Sequence, residues 1–223
     1  GRSSRPNIEQ VAAHAGVSRA TVSRVVFHAA TVDPALVEKV RRAVAELDYV
    51  PNQAARALMT RRVNTVALVA AESTTRVFGD PFFAAVARGA SQELSRAGIQ
   101  LMLSMARTEE DLDRVGAYLR GGHVDGVLVI SEHDTRDVIG LATDAGLPVV
   151  VGGRPLAAHP GVSFVDADNT KGAVLATEHL LSRGCRVVGT VTGPQDMSAG
   201  IDRVSGFRQA MGAAFDPRLV EAG

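Results

Sequence analysis

The sequence predicts a small all-α head followed by an α/β body of doubly wound parallel sheets. Three observations point there. Up to about residue 62 every periodic segment has helical spacing. Beyond it, short β-branched apolar runs alternate with helical stretches, the signature of parallel βαβ units. The charge divides at the same place: residues 1–62 carry ten Lys/Arg against five Asp/Glu, and residues 63–223 fourteen against nineteen. A basic head on an acidic body suggests that the head alone meets a polyanion.

In the head, Ile8, Val11, Ala12 and Ala15 fall on one helical face. Asn7 with Gln10 three residues on forms a capping-box pattern, and Gly16 suits the turn that ends the helix. Ser18 caps a second helix, Arg19 to Val26. Asp33-Pro34 opens a third, an N-cap followed by proline at the first helical position, with Val37, Val40, Val44 and Leu47 facing inward. Pro51-Asn52 stops the chain, which restarts as a short segment, Gln53 to Met59.

In the body, strands are expected at Val66–Ala70, Ile99–Leu103, Val127–Ile130, Pro148–Val151, Val162–Val165 and Val187–Val191. Helices are expected at about 82–97, 109–120, 135–145, 171–183 and 200–214. The last two strands are assigned to a second subdomain. The expected division is 1–51 for the head, 52–62 for a hinge helix and linker, 63–160 for a first ligand-binding subdomain and 161–223 for a partial second one.

Composition excludes several classes. The chain of 223 residues is 46% hydrophobic and 22% charged, ordinary for a globular protein and unlike a disordered one. No apolar run approaches the ~20 residues of a membrane-spanning helix, and no secretory h-region is visible near the start. The single cysteine, Cys185, excludes an internal disulfide framework and a cysteine-rich zinc site. The expectation is a cytoplasmic, nucleoid-associated protein with no membrane partner. No phosphate loop, dinucleotide fingerprint or nucleophile elbow is present. His123 and His133 lack a third ligand. Catalytic residues, a metal and a cofactor are therefore all expected to be absent. Asp166 and Asp168 flank a strand end, where capping and turn roles are the commoner ones.

The head's first two helices, joined by Gly16-Val17-Ser18, have the order of a helix-turn-helix, whose second helix enters the major groove. Val22, Val25 and Val26 form its apolar stripe. Arg19, Ala20, Ser23 and Arg24 point the other way. Arginine pairs with guanine O6 and N7, and alanine can touch a thymine methyl. Ser18, Thr21 and Ser23 are short hydroxyls suited to phosphate oxygens. The alternative is a helical bundle with an ordinary solvated face.

The stretches Ile8-Glu9-Gln10-Val11-Ala12 and Ala15-Gly16-Val17-Ser18-Arg19-Ala20-Thr21-Val22-Ser23-Arg24-Val25 resemble the head of the lactose-repressor/galactose-repressor (LacI/GalR) family. Tyr49-Val50-Pro51-Asn52 with Ala55-Arg56-Ala57-Leu58 resembles its hinge. Gly79-Asp80-Pro81-Phe82-Phe83, Val124-Asp125-Gly126 and Arg203-Val204-Ser205-Gly206-Phe207 fall on body positions. The resemblance implies a periplasmic-binding-protein-like body and base-reading positions at Arg19, Ala20 and Arg24. It also implies a hinge, with Asn52, whose Leu58 wedges into the minor groove of a dimer-bound operator. Alternatively Leu58 packs against the body. Arg203 would anchor an effector and Phe82 would stack on a sugar ring; a surface ion pair and a buried aromatic are the plainer readings. Two departures stand out: Phe27 replaces the usual asparagine at the end of the recognition helix, and Gly153 the aspartate that often grips sugar hydroxyls.

In open α/β sheets ligands bind beyond the carboxyl ends of strands, which adds Ser131 to Asp80, Phe82 and Arg203 as candidate effector residues. The expected partners are double-stranded operator DNA, a second copy of the chain, and a small-molecule effector, either a sugar, a sugar derivative or a nucleobase-like compound. The expected function is a ligand-responsive transcriptional repressor. The alternative is a sugar-like-ligand binding protein with a non-functional head. Because the family continues well past the helix ending near Ala214, a fragment is also expected.

Overall fold

The structure, a computed structural model, describes residues 6–27, 32–51, 62–131, 133 and 137–222. It divides into two compact units, Gly1–Val63 and Asn64–Gly223, at the position where the sequence pattern changes.

The head holds three helices: α1 (Ile8–Ala15), α2 (Arg19–Val26) and α3 (Pro34–Glu46). The capping box at the start of α1 is complete. Gln10 N–H donates to Asn7 Oδ1 at 2.9 Å, and Asn7 N–H donates to Gln10 Oε1 at 2.8 Å, so two otherwise unpaired donors are satisfied reciprocally. Val11, Val22, Val40, Ala43 and Tyr49 form the core, with Ile8, Ala15, Val25, Val26, Val44 and Leu47 packed around it. Tyr49, which the expected division places near the end of the head, packs into this core. The hinge segment itself lies outside the described residues.

The body begins with a five-stranded parallel sheet in the order β2-β1-β3-β4-β5: β1 (Thr65–Ala70), β2 (Gln100–Met105), β3 (Gly126–Ile130), β4 (Val149–Gly152) and β5 (Ser163–Val165). Side chains alternate across a strand, and β1 shows it. Ala67 and Val69 join the core formed with α6 (Glu109–Arg120) and α7 (Val138–Asp144). Leu68 and Ala70 join the opposite core, which includes Val77 of α4 (Thr74–Gly79) and Phe83 of α5 (Pro81–Arg96). Strand β1 is covered on both faces, which is why it reads as a continuous apolar run.

The second lobe packs α8 (Asn169–Ser182) against α9 (Ser198–Met211) beside a parallel pair, β6 (Thr190–Thr192) and β7 (Val220–Ala222). Val188, Phe207 and Met211 are its buried core. The helices approach closely at Gly206, where a Cβ would lie 2.2 Å from Thr170 O and 2.9 Å from Ala173 Cβ.

Three sequence expectations are corrected. The strand at 162–165 does not belong to the second lobe: Ser163–Val165 pairs with Val150–Gly152 as the edge of the first sheet. The subdomain boundary drawn at residue 160 therefore falls one strand too early. The last internal strand is Thr190–Thr192 instead of Val187–Val191, because its partner β7 pairs there, and Val187 stays 74% exposed. Finally, α4 was not anticipated; Ser73 caps it by accepting from Arg76 N–H.

Candidate nucleic-acid interface and ligand cleft

The head's candidate face is built by α2. Ser18 stands in extended conformation at its N-cap and accepts from Thr21 N–H at 3.1 Å, with Thr21 Oγ1 2.9 Å from Ser18 Oγ. The apolar stripe, led by the fully buried Val22, turns the rest of the helix outward. Arg19, Ala20 and Arg24 are exposed, and Thr21 and Ser23 are half-buried. Ser18 and Thr21, read from the sequence as phosphate contacts, already serve the helix cap, although a hydroxyl retains further capacity. Arg19 Nη1 lies 3.6 Å from Glu9 Oε1. Phe27, the departure at the helix end, closes α2 by donating its N–H to Ser23 O. Asn52 and Leu58 lie outside the described residues.

In the body, the chain leaves β1 toward β2 on one side and later returns to place β3 on the other. The carboxyl ends of β1 and β3 therefore flank a topological switch point, where open α/β sheets bind ligands. Glu72 follows β1, and Ser131 and His133 follow β3. Ser131 adopts φ 56°, a left-handed conformation uncommon for non-glycine residues and worth notice at such a place. It donates its hydroxyl to Glu72 Oε1 at 3.0 Å. His133 Nε2 lies 3.1 Å from the same oxygen, and Nδ1 lies 2.8 Å from Asp196 Oδ2 of the opposite lobe. Glu72 and His133 are nearly buried, with side chains 9% and 12% exposed.

A second link crosses the cleft beside it. Arg154, after β4, donates through Nη2 to both carboxylate oxygens of Asp202 on α9 at 2.8 Å, and Ser198 donates its hydroxyl to Arg154 O. Asp166 accepts from Arg154 N–H and Ala167 N–H, while Asp168 caps α8; these are the turn and capping roles expected of them. Gly153 has φ 110°, a conformation that side-chain-bearing residues rarely adopt. An aspartate could not occupy that place without strain.

The four predicted effector residues are only partly brought together. Ser131 belongs to the Glu72–His133 cluster. Arg203 donates through Nε to Asn169 Oδ1 at 2.9 Å, which is a hydrogen bond and not the surface ion pair that was the plainer reading. Asp80 ends α4 and caps α5, accepting from Phe82 N–H at 2.9 Å. Phe82 is 52% exposed and meets the buried Phe83 edge-on, with centroids 5.4 Å apart; the buried-aromatic reading holds for Phe83, not for Phe82. Among the described residues no hydrogen bond joins the Asp80–Phe82 corner to Ser131 or Arg203. The strand-end loops that sequence reasoning marked for ligand binding, Ser131–Asp134, Gly152–Arg154 and Pro194–Arg203, contain His133, Arg154, Asp196 and Asp202, but none of these was singled out for that role, and Glu72 was missed altogether. The available signal was the position of Glu72, an acid directly after a buried strand.

Comparisons with known proteins agree with this architecture. Residues 7–52 match the family described as "Bacterial regulatory proteins, lacI family", and residues 63–220 match "Periplasmic binding proteins and sugar binding domain of LacI family". The chain is 46% identical over 226 residues to the HTH-type transcriptional regulator CelR of Thermobifida fusca, covering 100% of this chain and 66% of that protein. A solved CelR–cellobiose complex superposes with a TM-score of 0.70 at 44% identity, covering 98% of this chain and 66% of the other. The lac repressor dimer bound to operator and the anti-inducer ONPF gives 0.76 at 25% identity, covering 99% and 66%. The chain thus spans just under two thirds of the length of these relatives. With both of its units matched, the chain belongs to the LacI family, joining that family's helix-turn-helix head to its periplasmic-binding-protein-like body.

Proposed function

We propose that the protein is a ligand-responsive transcriptional repressor that binds a palindromic operator as a dimer. The observation carrying this reading is the exposed Arg19-Ala20…Arg24 face of α2, turned outward by the buried Val22 within a head that matches the LacI family. Arg19 and Arg24 read base edges, Ala20 contacts a thymine methyl, and Ser18, Thr21 and Ser23 meet phosphates. Asn52 and Leu58 act in the hinge, where Leu58 opens a minor-groove step. Two-fold symmetry of the protein implies two-fold symmetry of the site. The reading gives the chain no catalytic role and a cytoplasmic, nucleoid-associated location; no helix among the described residues is long and apolar enough to cross a membrane.

The effector is a sugar, with cellobiose the first candidate, because the relative at 44% identity is solved with it. Phe82 stacks on a ring, and Arg203, Ser131 and Asp80 supply polar contacts. Glu72 and Asp196, which His133 links across the cleft, are further acceptors for hydroxyls. A ligand that binds one arrangement of the lobes better than another shifts the population toward it, and so changes operator affinity.

Selection of duplexes from a random pool tests the proposal. Enrichment of a palindrome whose affinity changes with cellobiose is expected. Recovery of unrelated sequences, with cellobiose stabilising the body all the same, would favour a ligand-binding protein with a non-functional head.

A further inference from the structure

The two arginines of α2 are both exposed, yet their electrostatic settings differ. The Arg19 guanidinium lies 3.6 Å from the Glu9 carboxylate, and the two side chains are 70% and 71% exposed. Arg24 has no carboxylate partner among the described residues. The head's other acids are used differently where the structure defines a use: Glu46 faces His14, and Asp33 caps α3. Among the described residues of the head, Glu9 is the one acid in an ion pair with an arginine.

Stability does not explain the pair. An ion pair this exposed contributes little to folding. An acid in the first turn suits the helix dipole, but that benefit does not require an arginine from the next helix. A carboxylate beside the face proposed to meet DNA also works against the phosphate attraction that drives binding. Its position there calls for a different account.

We propose that Glu9 is a specificity-determining residue that acts through Arg19; the proposal rests on the DNA-binding reading above. A guanidinium carries five N–H donors in a fixed fork. With a carboxylate on one side, its remaining donors still reach guanine O6 and N7. Held this way, Arg19 presents one arrangement to the groove and gives up its partner if it swings to a phosphate. Arg24 reads its base pair without such a restraint. Glu9 therefore has two separable effects. Its negative charge lowers affinity for all DNA equally. Its hold on Arg19 sharpens discrimination at a single base pair, and only while Arg19 is present.

Glu9→Gln keeps the length of the side chain and removes its charge. The whole chain, with its fold checked by thermal melting, is titrated by fluorescence anisotropy against the selected palindrome, its single-base variants and a random duplex. The base pair read by Arg19 is the one whose preference Arg19→Ala removes. The expected result is a rise in affinity for every duplex together with a two- to fivefold loss of preference, roughly the worth of an exposed pair, at that base pair alone. In an Arg19→Ala background, Glu9→Gln changes only the uniform component. An equal change on every sequence, a loss that also appears at the Arg24 base pair, or one that persists without Arg19 overturns the proposal. Absence of any sequence preference in the unaltered protein would defeat the DNA-binding reading itself and this proposal with it, so the two failures are told apart by the unaltered protein.

Discussion

Replacing His133 by alanine should loosen the cleft by a predictable amount. The ring spans two carboxylates on opposite lobes, 3.1 Å from Glu72 Oε1 and 2.8 Å from Asp196 Oδ2. The two ends are not equivalent. Asp196 is 42% exposed and is rehydrated at little cost once released. Glu72 is 9% exposed and, among the described residues, would keep the Ser131 hydroxyl at 3.0 Å and Arg76 Nε at 3.4 Å. Leaving a buried acceptor short of a partner costs about 1–3 kcal/mol, so a loss of about 2 kcal/mol is expected. For a unit of this size each kcal/mol moves the Tm by about 2–4 °C, which gives a fall of about 4–8 °C in the body's transition. Calorimetry of the ligand-free protein measures it. Asp196→Asn is the control: it touches only the exposed end and should cost under about 1 kcal/mol. An unchanged melt for His133→Ala, or a loss as large for Asp196→Asn, would refute the view that the energy resides in the buried half of the bridge.

Other substitutions probe other parts. Asn7→Ala removes one half of the capping box that starts α1 and should destabilise the head by about 1 kcal/mol, seen as a lower midpoint in urea. Gly206→Ala forces a methyl toward Thr170 O, 2.2 Å from the Cβ position, and should cost about 1–3 kcal/mol or more as α8 and α9 separate; unfolding free energies decide. Asp111 is held well below the usual carboxylate range, at about 2, first by the Thr108 backbone N–H, then by the Thr108 hydroxyl and by Arg114 and Arg107. A depressed carboxylate stabilises above its unfolded pKa and loses that effect as pH falls through its folded one. Its contribution should therefore be complete above about pH 4 and vanish toward pH 2. Asp111→Asn should flatten that part of the stability–pH curve, by no more than about 1 kcal/mol beside so exposed an arginine as Arg114.

What the sequence revealed was mostly local. Asn7, Gln10, Ser18 and Asp33 are caps in the structure because capping depends on neighbours two or three residues away. The helix at Glu109–Arg120 begins and ends as expected because Thr108 and Asp111 complete a capping box around an apolar stripe. Membership of a sheet is not local. The run at 162–165 is equally apolar whichever sheet it joins, and only the pairing of Phe164 with Val151 fixes it to the first. The Glu72–His133–Asp196 bridge joins residues 61 and 63 positions apart, and no spacing rule reaches that far. Gly153 shows the reverse case: its departure from the family pattern was visible in the sequence, but the positive φ that favours glycine there was not.

The sharpest test concerns the outward face of α2. Affinity for the selected palindrome should be measured over a series of salt concentrations, for the unaltered chain and for Arg19→Ala/Arg24→Ala. For the unaltered chain log affinity should fall steeply with log salt. The double variant should retain a shallower salt dependence but no longer separate the palindrome from random duplex. A salt-independent affinity, or a double variant that prefers the palindrome as strongly as before, would show that this face of α2 does not read DNA.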